Sequence, residues 1–228
     1  MPELMHISPA TGADWFSQPP GQVLLQSEAA ALAQALQQRP AQPWIWFSPL
    51  AQPVPEQAPR GWQLQAHGAG WQGAWQCAGS LPLASESIGT IVLQHPMGGP
   101  QDNLGLLNEC ARVLVAGGRL CLFALNPLSP YRLRWRGQGL RAVEPLAWRK
   151  RLREAGLAPE PISLGIGPGW RMRASEDTQQ GAGLRAAYLL CADKRRLPLT
   201  PVRQRRLQLA PASAFRTPLE ESRTLETR

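Results

Sequence analysis

Few side chains in this sequence are equipped for chemistry. Its three histidines, His6, His67 and His95, are scattered, and its four cysteines, Cys77, Cys110, Cys121 and Cys191, form no CxxC pair. A metal site built from neighbouring ligands is therefore not expected. Cys121 and Cys191 lie in the apolar runs RLCLFAL and AAYLLCA, where a free thiol acts as a small core residue of a reduced protein. No Gly-x-Ser-x-Gly elbow, no P-loop and no carboxylate pair at catalytic spacing is present. His95 stands apart. It ends the apolar run IGTIVLQH, where a strand would carry it to the rim of a sheet beside Gln94. There it suits a general base or a positioning group; the plainer reading is a strand-end histidine facing water. The nine tryptophans are the other resource. Trp44, Trp46, Trp62, Trp71 and Trp75 offer either a stacking platform for a base or ordinary core filling.

Charge gives a second indication. Residues 1–100 hold two basic and five acidic side chains, whereas the remaining 128 hold 22 basic and 11 acidic, for a net +8 over the 228-residue chain. Arg132, Arg134, Arg136 and Arg141 form one cluster with the Arg149–Arg153 run, and Lys194, Arg195 and Arg196 begin another. Such asymmetry points to a polyanionic partner, RNA or an acidic protein. Only two of the 24 basic residues are lysine, so a general bias towards arginine accounts for it equally well. A hydrophobic content of 43% supports a real core, and 23 prolines argue against a helical bundle. No stretch is apolar enough to span a bilayer, and the N-terminus lacks a basic and then apolar leader. A cytoplasmic protein with no membrane partner is expected.

The elements that must position these groups can be read in order. Residues 22–38 space Leu25, Leu32 and Leu36 as a helix stopped at Arg39-Pro40. PWIWFSPL reads as a buried strand, WQLQA (62–66) as an alternating one and WQGAWQC as a third. IGTIVLQH (88–95) is an apolar strand, PMGGPQ a loop, and Asp102 the N-cap of a helix that stops at Ala116-Gly117-Gly118. GRLCLFAL (118–125) is a strand of the kind buried on both faces of a parallel sheet. Together they make a βαβ unit. Asn126-Pro127 either shapes a pocket beyond it or simply turns the chain. A basic helix (145–155), the outgoing strand LAPEPISLGIG and the final strand LRAAYLLCAD (184–193) complete the domain. Residues 1–193 are thus one domain, and 194–228 read as a mobile basic tail.

The segment LPLASESIGTIVLQH, followed by LLNECARVLVAGGRLCLFALNP, resembles the second half of a class I S-adenosylmethionine (SAM)-dependent methyltransferase, nearest the type 11 group. The residues that carry the likeness are Leu81-Pro82-Leu83, the strand Ile88 to His95, Arg112-Val113-Leu114, Gly117-Gly118 and the strand Arg119 to Leu125. Phe123, Asn126 and Pro127 with Arg132 and Arg134 are similar to a bacterial subgroup. The resemblance implies an α/β fold: a Rossmann-like sheet, mostly parallel, with an antiparallel final strand. It implies SAM as cofactor, with adenine near Cys77, Ser80 and Leu81 and the methionine end near Gln94 and His95. Ser48, at the end of the first strand, belongs to the same cofactor set. Three positions depart from the family pattern. The segment Trp44–Leu50 has no glycine where a glycine loop is usual, Ala66-His67-Gly68 holds no acid for the ribose, and Cys77 stands where an aspartate is usual. Two functions follow. One is methyl transfer from SAM to an unidentified acceptor. The other is a non-catalytic, methyltransferase-like module that binds RNA or an acidic protein through its arginine clusters.

Overall fold

The computed structural model describes residues 11–195 apart from 57, 59, 69, 78, 100 and 101. Two helices come first, α1 (Thr11–Ser17) and α2 (Pro19–Gln37). α2 starts three residues before the expected position because Pro19 and Pro20 occupy its first turn, where a missing amide proton is no loss. The strands are β1 (Trp44–Ser48), β2 (Gly61–His67), β3 (Gly70–Gly73), β4 (Gln76–Cys77), β5 (Ile88–Gln94), β6 (Leu114–Leu125), β7 (Leu157–Pro159), β8 (Leu164–Ile166), β9 (Gln179–Gln180) and β10 (Ala187–Lys194). Helices α3 (Leu104–Val113) and α4 (Pro145–Glu154) flank β6 in sequence.

All ten strands join one sheet in the order β4-β3-β2-β1-β5-β6-β10-β8-β9, with β7 also paired to β10. Its centre, β2-β1-β5-β6, is parallel, and the strands at both margins are antiparallel. β1 and β5 are buried along their whole length, as strands covered on two faces must be. One face carries Trp44, Trp46, Val92 and Phe123 against Trp15, Leu24 and Leu36 of the first two helices. The other carries Phe47, Leu93 and Leu122 against Leu107 of α3 and Trp148 and Leu152 of α4. The thiols of Cys121 and Cys191 face each other across paired strands, 3.5 Å apart, as core residues.

Several local expectations need correction. Asp102 does not cap α3: the helix begins after Asn103, and the Asp102 carboxylate instead accepts the Gly99 amide at 2.7 Å. That helix ends at Val113 rather than at the glycine pair, and β6 already includes Val115 to Gly118. WQGAWQC supplies two antiparallel strands, β3 and β4, and LAPEPISLGIG likewise breaks into β7 and β8. The final strand runs on through Lys194. The remainder of the expected tail, residues 196–228, lies outside the described residues.

β2 shows why its sequence alternates. In register it sets Gln63 beside Trp46 and Gln65 beside Ser48, so its glutamines share one face while Trp62, Leu64 and Ala66 take the other. No helix occurs among the described residues of 49–60, the connection from β1 to β2, and polar side chains suit that thinly covered face. Gly61 marks the tightest point, since a Cβ there would stand 2.1 Å from the buried Trp44 ring. That indole is pinned by a 3.1 Å bond from Nε1 to the Ala58 carbonyl. Gly61→Ala is therefore expected to destabilise the protein by about 1–3 kcal/mol, read as a lowered urea midpoint.

Candidate functional site

The carboxyl edge of a parallel sheet is where open α/β folds take their ligands. At the edge of β5 the chain buries a charge-bearing cluster. Glu28 of α2 is fully buried. His95 Nε2 lies 2.9 and 3.0 Å from its two carboxylate oxygens, and the Gln94 amide donates to the same carboxylate at 2.8 Å. Gln94 Oε1 in turn accepts from Trp46 Nε1 at 3.1 Å and from Gln52 at 2.8 Å.

His95 is held as no solvent-facing histidine would be. Its φ of +48° turns the chain sharply out of β5, a conformation that costs a non-glycine residue free energy. Phe16 stacks on its ring at 4.8 Å and its amide donates to the Phe123 carbonyl at 2.9 Å. With Glu28 ionised, Nε2 is the ring nitrogen that donates to it, which leaves Nδ1 as an acceptor. Nδ1 is buried and finds no hydrogen-bond partner among the described residues. His95 lines a partly open hollow of about 20 Å³, room for one water-sized group, together with Met97, Leu140, Arg141 and Trp148.

Met97 and Gly98 also line a much larger cleft of about 650 Å³. One wall is the β2–β3 hairpin, with Ala66, Gly68 and Trp71; the other is α3, with Gly105, Leu106 and Glu109. Ser80, Asp102 and Asn103 supply polar groups at its ends. Bonds from the Arg112 guanidinium and the Leu81 amide hold the Glu109 carboxyl below the usual carboxylate range. Asp102 on this cleft and Arg141 on the small cavity form a 3.3 Å exposed ion pair across the divide.

No family model and no curated protein matches the sequence. Solved structures do match. A SAM-dependent methyltransferase of Thermotoga maritima superposes with a TM-score of 0.52 over 76% of this chain and 93% of its own, at 15% identity. A Haloferax volcanii protein, described as a methyltransferase in complex with the Trm112 methyltransferase activator, gives 0.50 over 81% of this chain and 96% of its own, at 12% identity. The fold is that of a class I SAM-dependent methyltransferase.

Against that fold, the six positions taken from the sequence separate. Ser80 lines the large cleft and His95 the small cavity beside it. Leu81 is buried with its amide on Glu109, and Cys77 sits half-buried on β4, its thiol pushed up by burial. Ser48 and Gln94 are fully buried and their polar atoms are already bonded, Ser48 donating to the Leu50 carbonyl at 2.7 Å. They close the end of β1 and position their neighbours. Trp44 and Trp46 fill the core, whereas Trp71 forms part of the cleft wall. Asn126 turns the chain, its amide donating to the carbonyls of Ala182, Gly183 and Arg185.

Sequence reading missed Glu28, the partner that His95 lacked. Its signal was present: Leu24, Glu28, Leu32 and Leu36 follow one another at spacing four, so an acid stands in the apolar stripe of α2. The large cleft is of ligand size, mixes apolar side chains with hydroxyl and carboxylate groups, and has open space beside Gly68, Gly79 and Gly105. The end of β1, plugged by Ser48, Gln52 and Gln94, offers no such room.

Glu28→Ala is expected to cost about 3–5 kcal/mol, because it strands the donors of His95 and Gln94 in the core. Glu28→Gln should cost less, about 1.5–3 kcal/mol. A denaturation cycle with His95→Ala should show strong coupling between the two sites. The Glu109 contribution is fully present above the unfolded-state pKa and is lost as pH falls through the lowered folded value. Glu109→Gln should therefore flatten the acid limb of a stability-versus-pH curve.

Proposed function

We propose that the protein is a SAM-dependent methyltransferase in which His95, backed by Glu28, serves as the base. The observation that carries this is the juxtaposition of a buried, carboxylate-bound histidine with an unpartnered nitrogen and a ligand-sized cleft that share Met97 and Gly98. Trp71 and Leu106 would flank the nucleoside, Ser80 and Asp102 would meet its polar groups, and the Met97-Gly98 turn would face the sulfur. Bound there, SAM supplies an electrophilic methyl group whose transfer depends mainly on alignment. His95 takes a proton from the acceptor at Nδ1, and the Glu28 carboxylate stabilises the imidazolium that results, as the orienting acid does in catalytic triads. The reading suits an acceptor with an N–H or O–H group.

One observation favours a second reading, a non-catalytic module acting on RNA or an acidic protein through its arginines. The end of β1, where the fold's glycine loop ordinarily approaches a cofactor, is filled by the chain's own side chains.

Gly105 separates the two. It lies in α3 on the cleft wall, and a Cβ there meets nothing within 4 Å. Gly105→Leu should stabilise the helix by about 0.5–1 kcal/mol while filling the cleft. On the enzyme reading, SAM and S-adenosylhomocysteine raise the melting temperature of the wild type, and the leucine variant melts higher without ligand yet gains nothing from either. If neither ligand moves the wild-type melting temperature, the methyl-transfer reading fails and the second stands.

A further inference from the structure

Isolated apolar side chains on a protein surface carry no message, but a contiguous group does. Leu128, Leu133, Trp170, Met172 and Leu184 are between 48% and 66% exposed. They come from three separate segments, which contacts of one short 3-10 helix, Pro130–Arg134, and of Ser129 before it tie together. Leu133 and Trp170 line a common hollow of about 410 Å³ with Pro20 and Pro130. Arg134 reaches from that helix to the Met172 sulfur at 4.0 Å and to the Trp170 carbonyl at 3.5 Å. Ser129, beside Leu128, donates to the Leu184 carbonyl at 3.0 Å.

The surroundings are cationic. Arg132, Arg134, Arg136, Arg171 and Arg173 are exposed on the same segments, and among the described residues none forms an ion pair with a carboxylate. Two acids stand at the margin: Asp177, paired with Arg185 at 3.5 Å, and Glu176. We propose that this surface docks on an anionic lipid bilayer, the leucines, Met172 and Trp170 entering the headgroup boundary while the arginines meet lipid phosphates. Such a division of apolar and basic side chains is what interfacial binding requires, and tryptophan suits that depth.

Other occupants fit less well. A second copy would set arginine against arginine. Single-stranded RNA binds by stacking on aromatic faces, yet four of the five apolar groups are aliphatic or thioether and Tyr131 is buried. The expectation of no membrane partner rests on the lack of a spanning segment and of a leader, neither of which bears on a peripheral surface. No described helix is long and apolar enough to span, and an interfacial surface needs none.

The full chain is to be sedimented with phosphatidylglycerol vesicles and, as control, phosphatidylcholine vesicles. Binding to the anionic vesicles alone, weakened by salt, is expected. Leu133→Ala with Trp170→Ala should weaken it about tenfold or more through lost apolar insertion, and Arg171→Glu with Arg173→Glu should abolish it. All four side chains are exposed, so unchanged circular dichroism and melting temperature would show that folding is intact. Failure to sediment with phosphatidylglycerol overturns the proposal. So does binding that these variants leave unchanged, which would place the attraction elsewhere on the chain. If a single-stranded RNA oligonucleotide binds instead and the same variants weaken it, the surface is a nucleic-acid site and the lipid proposal falls.

Discussion

A carboxylate without access to water must be matched by donors or lose its charge, and that requirement organises this molecule. Glu28 can be matched only where Gln94 and His95 emerge from β5, so α2 must lie across the sheet at that height. The same contact sets the proton on His95 Nε2 and orients the Gln94 amide. Gln94 then fixes the Trp46 indole and the Gln52 side chain in the loop after β1. One acidic side chain thereby ties a helix, two strands and a connection into a single arrangement, and one nitrogen of the histidine at its centre is left without a partner among the described residues.

The first crossover of the sheet departs most from the usual plan. In doubly wound sheets the connection from the first strand carries a glycine-rich turn and a helix. Here proline-containing chain joins β1 to β2, and the face it crosses is paved with Gln63 and Gln65 rather than aliphatic side chains. The cofactor-sized space lies to one side of that junction, between the β2–β3 hairpin and α3. The missing glycine loop and the helix-free connection belong to one stretch of chain. A chain that gives up the crossover helix also gives up the backbone cradle at its start.

Legibility followed the range of the interaction. IGTIVLQH and GRLCLFAL could be read as central strands because each has an unbroken apolar core and is local in sequence. The alternation of WQLQA announced a strand covered on one face, which the structure explains by the thin β1–β2 connection. Short-range errors arose where two local preferences competed. Gly98, at φ +82°, turns the loop so that Asp102 meets Gly99 instead of capping a helix. The β-branched Val113 and Val115 favour the strand that ends α3 before its glycines. The Glu28–His95 pair spans 67 residues and joins a helix to a strand edge, so only the acid's place in an apolar stripe hinted at it. The exposed cluster around Pro130–Arg134 was hidden for the same reason, since its members come from three separate segments.

The place of β10 bears on how the protein is made. It is the last strand of the described chain, yet it lies between β6 and β8 in the sheet. As the polypeptide leaves the ribosome, the outer edge of β6 has no neighbour until residue 194 has emerged. β6 is apolar from Leu120 to Leu125, and an unpaired edge of that kind templates pairing with other chains. The nascent protein therefore passes through a stage in which its first two helices and parallel strands exist around an open seam. A ribosome that stalls before β10 releases an aggregation-prone fragment instead of a smaller stable domain. Of the described strands, the one that covers β6 is the last to be made.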